Sequence, residues 1–357
     1  MILSNNRVYI IAEIGVNHNG DLRLAKKMIL EAKKSGADAV KFQNFTAGSL
    51  TTKNAKKAPY QVKNTRNVQS QHQMLKKLEL KLPYYFILKR FAKKNRIDFL
   101  TSIFDEESID FLKNKLKQKV IKIPSGELTN ILITDRINLN HYNVILSTGM
   151  ANISEISNSL NSIFKKKVFR GIKNKVKILN NKFLKKIRKK ITLLHCVTDY
   201  PVDYQFANLK CIKTLSKQFK LPVGYSDHTP GVIAPIIAVS FGAKMIEKHF
   251  TLNKRMPGPD HKASLEPHEF SQMVKNIRNY EIMIGDGVKK IEKCEKKNIK
   301  IARKSIIAKN YIKKGEKFSK NNLTTKRPGY GLSPLKIKNL IGKKSRYNFK
   351  PDNLIKI

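Results

Sequence analysis

Two histidines, two lysines and several carboxylates stand where they could act together. In the run Ala243–Phe250, Glu247, Lys248 and His249 follow the apolar pair Met245-Ile246 and precede Phe250. In an extended chain alternate side chains share a face, so Glu247 and His249 point the same way, as do Lys41 and Gln43. Ionisable groups on a buried face require partners or a bound ion. Lys41 and Lys122, with the hydroxyls of Thr101, Ser147 and Ser226, form a cradle for a phosphate or carboxylate. His228 and His249 offer two imidazoles to one divalent metal, Mn, Fe, Co or Zn, with water or substrate completing the shell. Glu13, Glu127 and Asp260, the last delivered by the turn Pro257-Gly258-Pro259, supply bases and hydroxyl acceptors. These residues predict metal-assisted chemistry on a phosphorylated, oxygen-rich substrate.

The elements that must position them follow from periodicity. Eight short apolar runs read as strands: Val8–Gly15, Asp38–Gln43, Asp98–Phe104, Val120–Ser125, Asn143–Gly149, Ile191–Val197, Pro222–Asp227 and Ala243–Phe250. Between them lie segments with helical spacing, among them Leu22–Lys34, Tyr84–Lys94, Ile153–Phe164 and Val232–Phe241, and Pro267–Met283 closes the series. Eight strand–helix units predict an α/β fold of the (β/α)8 TIM-barrel type. In a barrel the C-terminal ends of all the strands converge on one mouth, where every residue named above then lies. Two stretches break the period. Asn44–Lys81 is too long for an ordinary loop and predicts an excursion over the mouth. Lys165–Lys190 is strongly basic and predicts a solvated insertion. The barrel is expected over residues 1–290, a charged linker over 291–300, and a small strand-rich domain over 301–357.

Composition bounds the function. The chain has 357 residues, enough for one barrel and an appendage, and a formal net charge of +46. Such a charge suits nucleic acid, an anionic surface or acidic small molecules. The lysines, however, run the whole length beside abundant Asn and Ile. No zinc-finger spacing or aromatic RNA-binding signature accompanies them, so neither nucleic acid nor membrane is expected as a partner. A basic protein that docks on nucleic acid or an anionic surface is the competing class. No apolar run reaches membrane-spanning length. The three cysteines, Cys196, Cys211 and Cys294, form no C-x-x-C pair, which fits a reducing, cytoplasmic setting.

Ten motifs in chain order carry a resemblance: EIGVNHNGD, ADAVKFQ, KIPSGEL, ILSTGM, LLHCVTDYP, GYSDHT, IEKHFTL, GPDHKASLEP, ARKSIIAK and KRPGYG. Together they resemble the sialic acid synthase family, from about Val8 to the end of the chain. The resemblance implies a synthase barrel followed by a small β-rich SAF (antifreeze-like) domain. It implies condensation of phosphoenolpyruvate with an acylamino sugar: N-acetylmannosamine to give N-acetylneuraminate, or, as the alternative, the sugar precursor of legionaminic or pseudaminic acid. Carried over motif by motif, it implies Mn2+ (Mg2+ or Co2+ as alternatives) at His228 and His249. Phosphoenolpyruvate would bind at Lys41, Lys122, Thr101, Ser147 and Ser226. Gln43, Glu127, Tyr200 and Asp260 would contact the sugar, with Glu13 as acid/base, and Glu127 is grouped with Glu13 and the two lysines as catalytic. Arg327 would reach from the C-terminal domain into the partner's barrel, in a domain-swapped homodimer.

The sequence departs from the family pattern in places. TSIFD stands where relatives commonly have STPFD. Val197 and Asp199 stand where many N-acetylneuraminate synthases carry Asn and Glu, and Tyr330 stands where Asn is usual. The departures outside the third strand lie near the sugar, not the phosphate.

Overall fold

The computed structural model describes residues 7–65 and 69–357. Two compact units divide the chain, one ending at Ile284 and the other spanning Gly285–Ile357.

In the first unit the strands are β1 (Tyr9–Gly15), β2 (Ala39–Asn44), β3 (Asp98–Ile103), β4 (Val120–Ile123), β5 (Asn143–Ser147), β6 (Phe169–Ile172), β7 (Lys175–Ile178), β8 (Ile191–His195), β9 (Val223–Asp227) and β10 (Met245–His249). Eight of them close a parallel barrel in the order β1-β2-β3-β4-β5-β8-β9-β10, with β10 pairing back onto β1. The expected (β/α)8 barrel is therefore present. Helices pack around it because their apolar residues fall on one stripe. In Leu22–Lys34 the buried positions are Ala25, Met28, Ile29 and Ala32, and Asp21 caps the helix by accepting from the backbone of Arg23 and Leu24. Helix Ile153–Phe164 starts with a capping box between Asn152 and Glu155.

The barrel interior is layered. Its lower layer is apolar, built from Ile11, Ala39, Leu100, Ile145, Leu194 and Met245. Gly224 occupies β9 at this level because Leu194 and Met245 fill the space: a Cβ there would lie 2.5 Å from the Met245 carbonyl and 2.6 Å from Leu194 Cδ2. Two residues further along each strand the inward face turns polar.

Asn44–Lys81 holds the short helices Ala47–Leu50, Pro59–Thr65 and Gln71–Leu78. They lie over the mouth as expected, and Asn64 Nδ2 donates to the Pro259 carbonyl at 2.6 Å. Residues 66–68 of this excursion, like residues 1–6, lie outside the described residues. The basic stretch Lys165–Lys190 is not simply solvated. It forms the antiparallel hairpin β6–β7 and a helix, Asn181–Ile187, and buries Val168, Phe169 and Leu184 in the main core while its lysines point outward.

In the second unit β11 (Ser305–Ala308) pairs antiparallel with β12 (Leu323–Lys326) over a small core that includes Ile306, Ile312, Phe318, Leu340 and Phe349. Helix Lys296–Ala302 belongs to this unit. The fold expectation of a barrel followed by a small strand-rich domain is met. Among the described residues no helix is long and apolar enough to cross a membrane.

Candidate active site

Period-two alternation places the site. Above the apolar layer the inward positions are Glu13 on β1, Lys41 on β2, Ser102 on β3, Lys122 on β4, Ser147 on β5, Ser226 on β9 and Glu247 on β10. All line one cavity of ≈ 330 Å³ at the C-terminal mouth. One step higher, Gln43, His228 and His249 line the same cavity, joined by Tyr200 and Asp260 from loops and by Tyr60 from the excursion. Gly15 also sits at this level, with φ of +55°. A Cβ there would come within 3.2 Å of Glu13 Oε1 and 3.3 Å of Gln43 Nε2, so the glycine keeps the cradle open.

The charges are paired. Lys41 Nζ lies 2.8 Å from Glu13 Oε2 and donates to Ser102 Oγ at 2.9 Å. Lys122 Nζ donates to Glu247 Oε1 at 3.0 Å, and the same oxygen accepts from Ser226 Oγ at 3.0 Å and stands 3.7 Å from Lys41 Nζ. Gln43 Nε2 donates to Glu13 Oε1 at 3.1 Å. Burial shifts each group and its neighbours counter it. Burial drives the Glu13 carboxyl above its ordinary range, against the pull of Lys41. For Glu247 burial is outweighed by Lys122 and Lys41, which hold it down at about 2. Burial disfavours the Lys41 ammonium, but Glu13 and Glu247 together keep its pKa above the usual value, whereas burial wins at Lys122 and lowers it. Asp260, buried and facing the Glu13 charge, is pushed up to about 7.

The two histidines meet across adjacent strand ends with ring centroids 5.5 Å apart, and the Tyr200 ring lies tilted against His228 with centroids 4.1 Å apart. Burial holds His228 down at about 4 and His249 well below 6.5, so both are neutral and have a lone pair to give. His228 Nδ1 donates to the Val197 carbonyl at 2.6 Å, which leaves Nε2 as the ligating atom. His249 Nδ1 is buried with no hydrogen-bond partner. An orphaned imidazole nitrogen beside a tautomer-fixed histidine fits a divalent cation. Among the described residues no third His, Cys, Asp or Glu joins the pair in a closed ligand cluster, so water or substrate would complete the shell.

Two residues expected at this chain's own site, Thr101 and Glu127, are placed elsewhere. Thr101 has the wrong parity: it lies on the outward face of β3, fully buried, with Oγ1 unpartnered, and Ser102 is the hydroxyl that meets Lys41. Glu127 sits on the turn after β4, partly exposed and outside the cavity lining, with Oε2 accepting from Asn130 Nδ2 at 2.7 Å. Arg327, expected to act in a partner's barrel, is exposed in the second unit, its Nε donating to the Ala302 carbonyl at 3.0 Å. Conversely, sequence reasoning gave Tyr60 no place in the site, and gave Ser102 and Glu247 no role beyond their strand ends. Strand parity would have found Ser102, and nothing in the sequence singles out Tyr60.

Comparison with known proteins now identifies the arrangement. The NeuB family model matches residues 28–289 and the SAF domain model residues 303–357. The N,N'-diacetyllegionaminic acid synthase of Campylobacter jejuni is 51% identical over 98% of this chain and 99% of its own length. The enzyme of the same name from Legionella pneumophila is 42% identical over 97% and 92%. Among solved structures, the N-acetylneuraminic acid synthetase of Leptospira borgpetersenii superposes with a TM-score of 0.66 at 31% identity, covering 82% of this chain and 90% of that one. The chain thus belongs to the NeuB family, as a nonulosonic acid synthase of the sialic acid synthase type with a C-terminal SAF domain.

Proposed function

We propose that this enzyme condenses phosphoenolpyruvate with 2,4-diacetamido-2,4,6-trideoxymannose and water to give N,N'-diacetyllegionaminate and phosphate. The observation that carries the choice of sugar is the 51% identity, over nearly the whole chain, to a synthase of that product. Val197, Asp199 and Tyr330, which depart from the N-acetylneuraminate pattern on the sugar side, support the same choice. N-acetylmannosamine, the sugar expected from the motifs, is then the poorer substrate.

The cavity's own residues supply most of the chemistry. Lys41, Lys122, Ser147 and Ser226 bind the phosphate and carboxylate and neutralise them as C3 of the enol attacks the sugar aldehyde. Water adds at C2, and the C2–O bond to phosphate breaks. Glu13, whose pKa is raised by burial, exchanges a proton with the new hydroxyl or the attacking water. Asp260, Gln43 and Tyr200 orient the sugar hydroxyls. His228 and His249 would hold a divalent cation, Mn2+ with Mg2+ or Co2+ as alternatives, which would supply Lewis acidity for the condensation. The active species is a homodimer in which Arg327 of one chain grips an acetamido group in the barrel of the other, its fork of donors suiting an amide carbonyl.

Incubation of the protein with phosphoenolpyruvate, Mn2+ and either sugar tests the assignment through phosphate release and 2-keto acid formation. The diacetamido sugar is expected to turn over at least tenfold faster, and chelation to abolish the reaction until Mn2+ is restored. Equal or better use of N-acetylmannosamine overturns the sugar assignment, and absence of phosphate with both sugars overturns the reaction.

A further inference from the structure

One carboxylate oxygen draws together three of the anion-binding residues at the barrel's centre. Glu247 Oε1 takes Lys122 Nζ at 3.0 Å, Ser226 Oγ at 3.0 Å and Lys41 Nζ at 3.7 Å. The other oxygen, Oε2, is buried and makes no hydrogen bond, and the residue is only 4% exposed. A carboxylate retained for structure alone spreads its acceptor sites over both oxygens, because each unpaired buried lone pair costs free energy. Here the β4 ammonium and a β9 hydroxyl donate to one oxygen, and the β2 ammonium, bonded to Ser102 and paired with Glu13, stands 3.7 Å from it. That is the donor set by which an oxyanion is held. Charge is also balanced: Lys41 and Lys122 face Glu13 and Glu247, so an entering anion meets a neutral layer.

We propose that Glu247 is a built-in stand-in for the substrate anion. Its Oε1 occupies the point where an oxyanion oxygen of phosphoenolpyruvate is caught, and binding proceeds as the substrate takes these donors over. The inference rests on the reading that the two lysines bind phosphoenolpyruvate. Glu247 acts through the lysines and is a positioning residue. It holds both ammonium groups and the Ser226 hydroxyl in line, and it weakens the cavity's grip on anions so that product phosphate leaves.

Calorimetric titration of the full-length protein and its Glu247→Gln variant with inorganic phosphate, then with phosphoenolpyruvate, tests this. Removing one negative charge within hydrogen-bond reach of the anion's position should tighten both ligands at least tenfold. In turnover the KM for phosphoenolpyruvate and kcat should fall together, since phosphate release slows. Phosphate held by surface lysines is common to both proteins, so the difference reports the cavity. Should Glu247→Gln fold poorly, Glu247→Asp keeps the charge but falls one methylene short of the lysines, and it too should bind phosphate more tightly than the parent. Unchanged or weaker phosphate affinity in both variants overturns the stand-in role. If the unaltered protein binds phosphoenolpyruvate yet the variants gain nothing, only this inference falls. If neither it nor the variants bind phosphate or phosphoenolpyruvate at millimolar concentration, the reading of the lysines falls with it.

Discussion

Behind the two histidines lies a further buried ion pair, and breaking it has calculable consequences. Asp227 and Lys248 alternate with the cavity residues of β9 and β10, so they face outward and are wholly buried, each 0% exposed. Lys248 Nζ lies 2.6 Å from Asp227 Oδ2 and donates to the Thr229 carbonyl at 2.5 Å, while Asp227 Oδ1 accepts from the N–H and hydroxyl of Thr229, both at 2.8 Å. At 2.6 Å and an effective dielectric of about 20, the attraction is about 6 kcal/mol, most of it offset by desolvation. Lys248→Met leaves a carboxylate that keeps two donors and should cost about 3 kcal/mol. Asp227→Asn leaves an ammonium facing an amide dipole and one carbonyl, and should cost about 5 kcal/mol, the upper end for a broken buried pair. The double variant removes both charges, keeps an acceptor for Thr229 and fills the lysine's volume, so it should cost only about 1–2 kcal/mol. The chain has no tryptophan, so urea unfolding is best followed by far-UV circular dichroism. Double-variant destabilisation equal to the sum of the single losses would mean that the two charges do not depend on each other, and would refute the reasoning.

Two further outcomes follow from the same geometry. Asp260 binds its proton more tightly folded (pKa about 7) than unfolded (3.8), so the folded state holds the extra proton between those values and stability falls as pH rises through them. Relative to Asp260→Asn, the parent should lose about 4 kcal/mol between pH 4 and pH 7 and no more above it, and a difference that does not change with pH would contradict this. Arg327→Ala should keep the fold but lose most turnover, and mixing it with a Lys41→Ala chain should restore activity. No recovery after demonstrated subunit exchange would place the arginine's action within its own chain, or nowhere.

Much of the fold was legible because burial imposes periodicity. The eight barrel strands fall within a residue or two of the apolar runs, and helices Leu22–Lys34, Ile153–Phe164 and Pro267–Met283 end where their caps and apolar stripes end. The basic stretch Lys165–Lys190 was misread because charge density hid its alternation. In β7, Lys175-Val176-Lys177-Ile178, the lysines point out and the apolar residues in, and that pattern is too short to stand out among so many lysines.

At the site, residue type and strand position by themselves brought Lys41, Lys122, His228 and His249 to one mouth, because a parallel barrel sends every C-terminal strand end to the same face. Parity within a strand was equally available, and it separates Ser102 from Thr101. Closure of the barrel decided the rest. Glu247 and Lys122 are 125 residues apart, and only the ring of eight strands puts their side chains 3.0 Å apart across its centre. Which carboxylate neutralises which lysine, which imidazole nitrogen is left to ligate, and that Glu127 stays outside the cavity all depend on long-range packing. Local sequence encodes the direction in which a side chain leaves its strand, and only the assembled barrel determines what it meets.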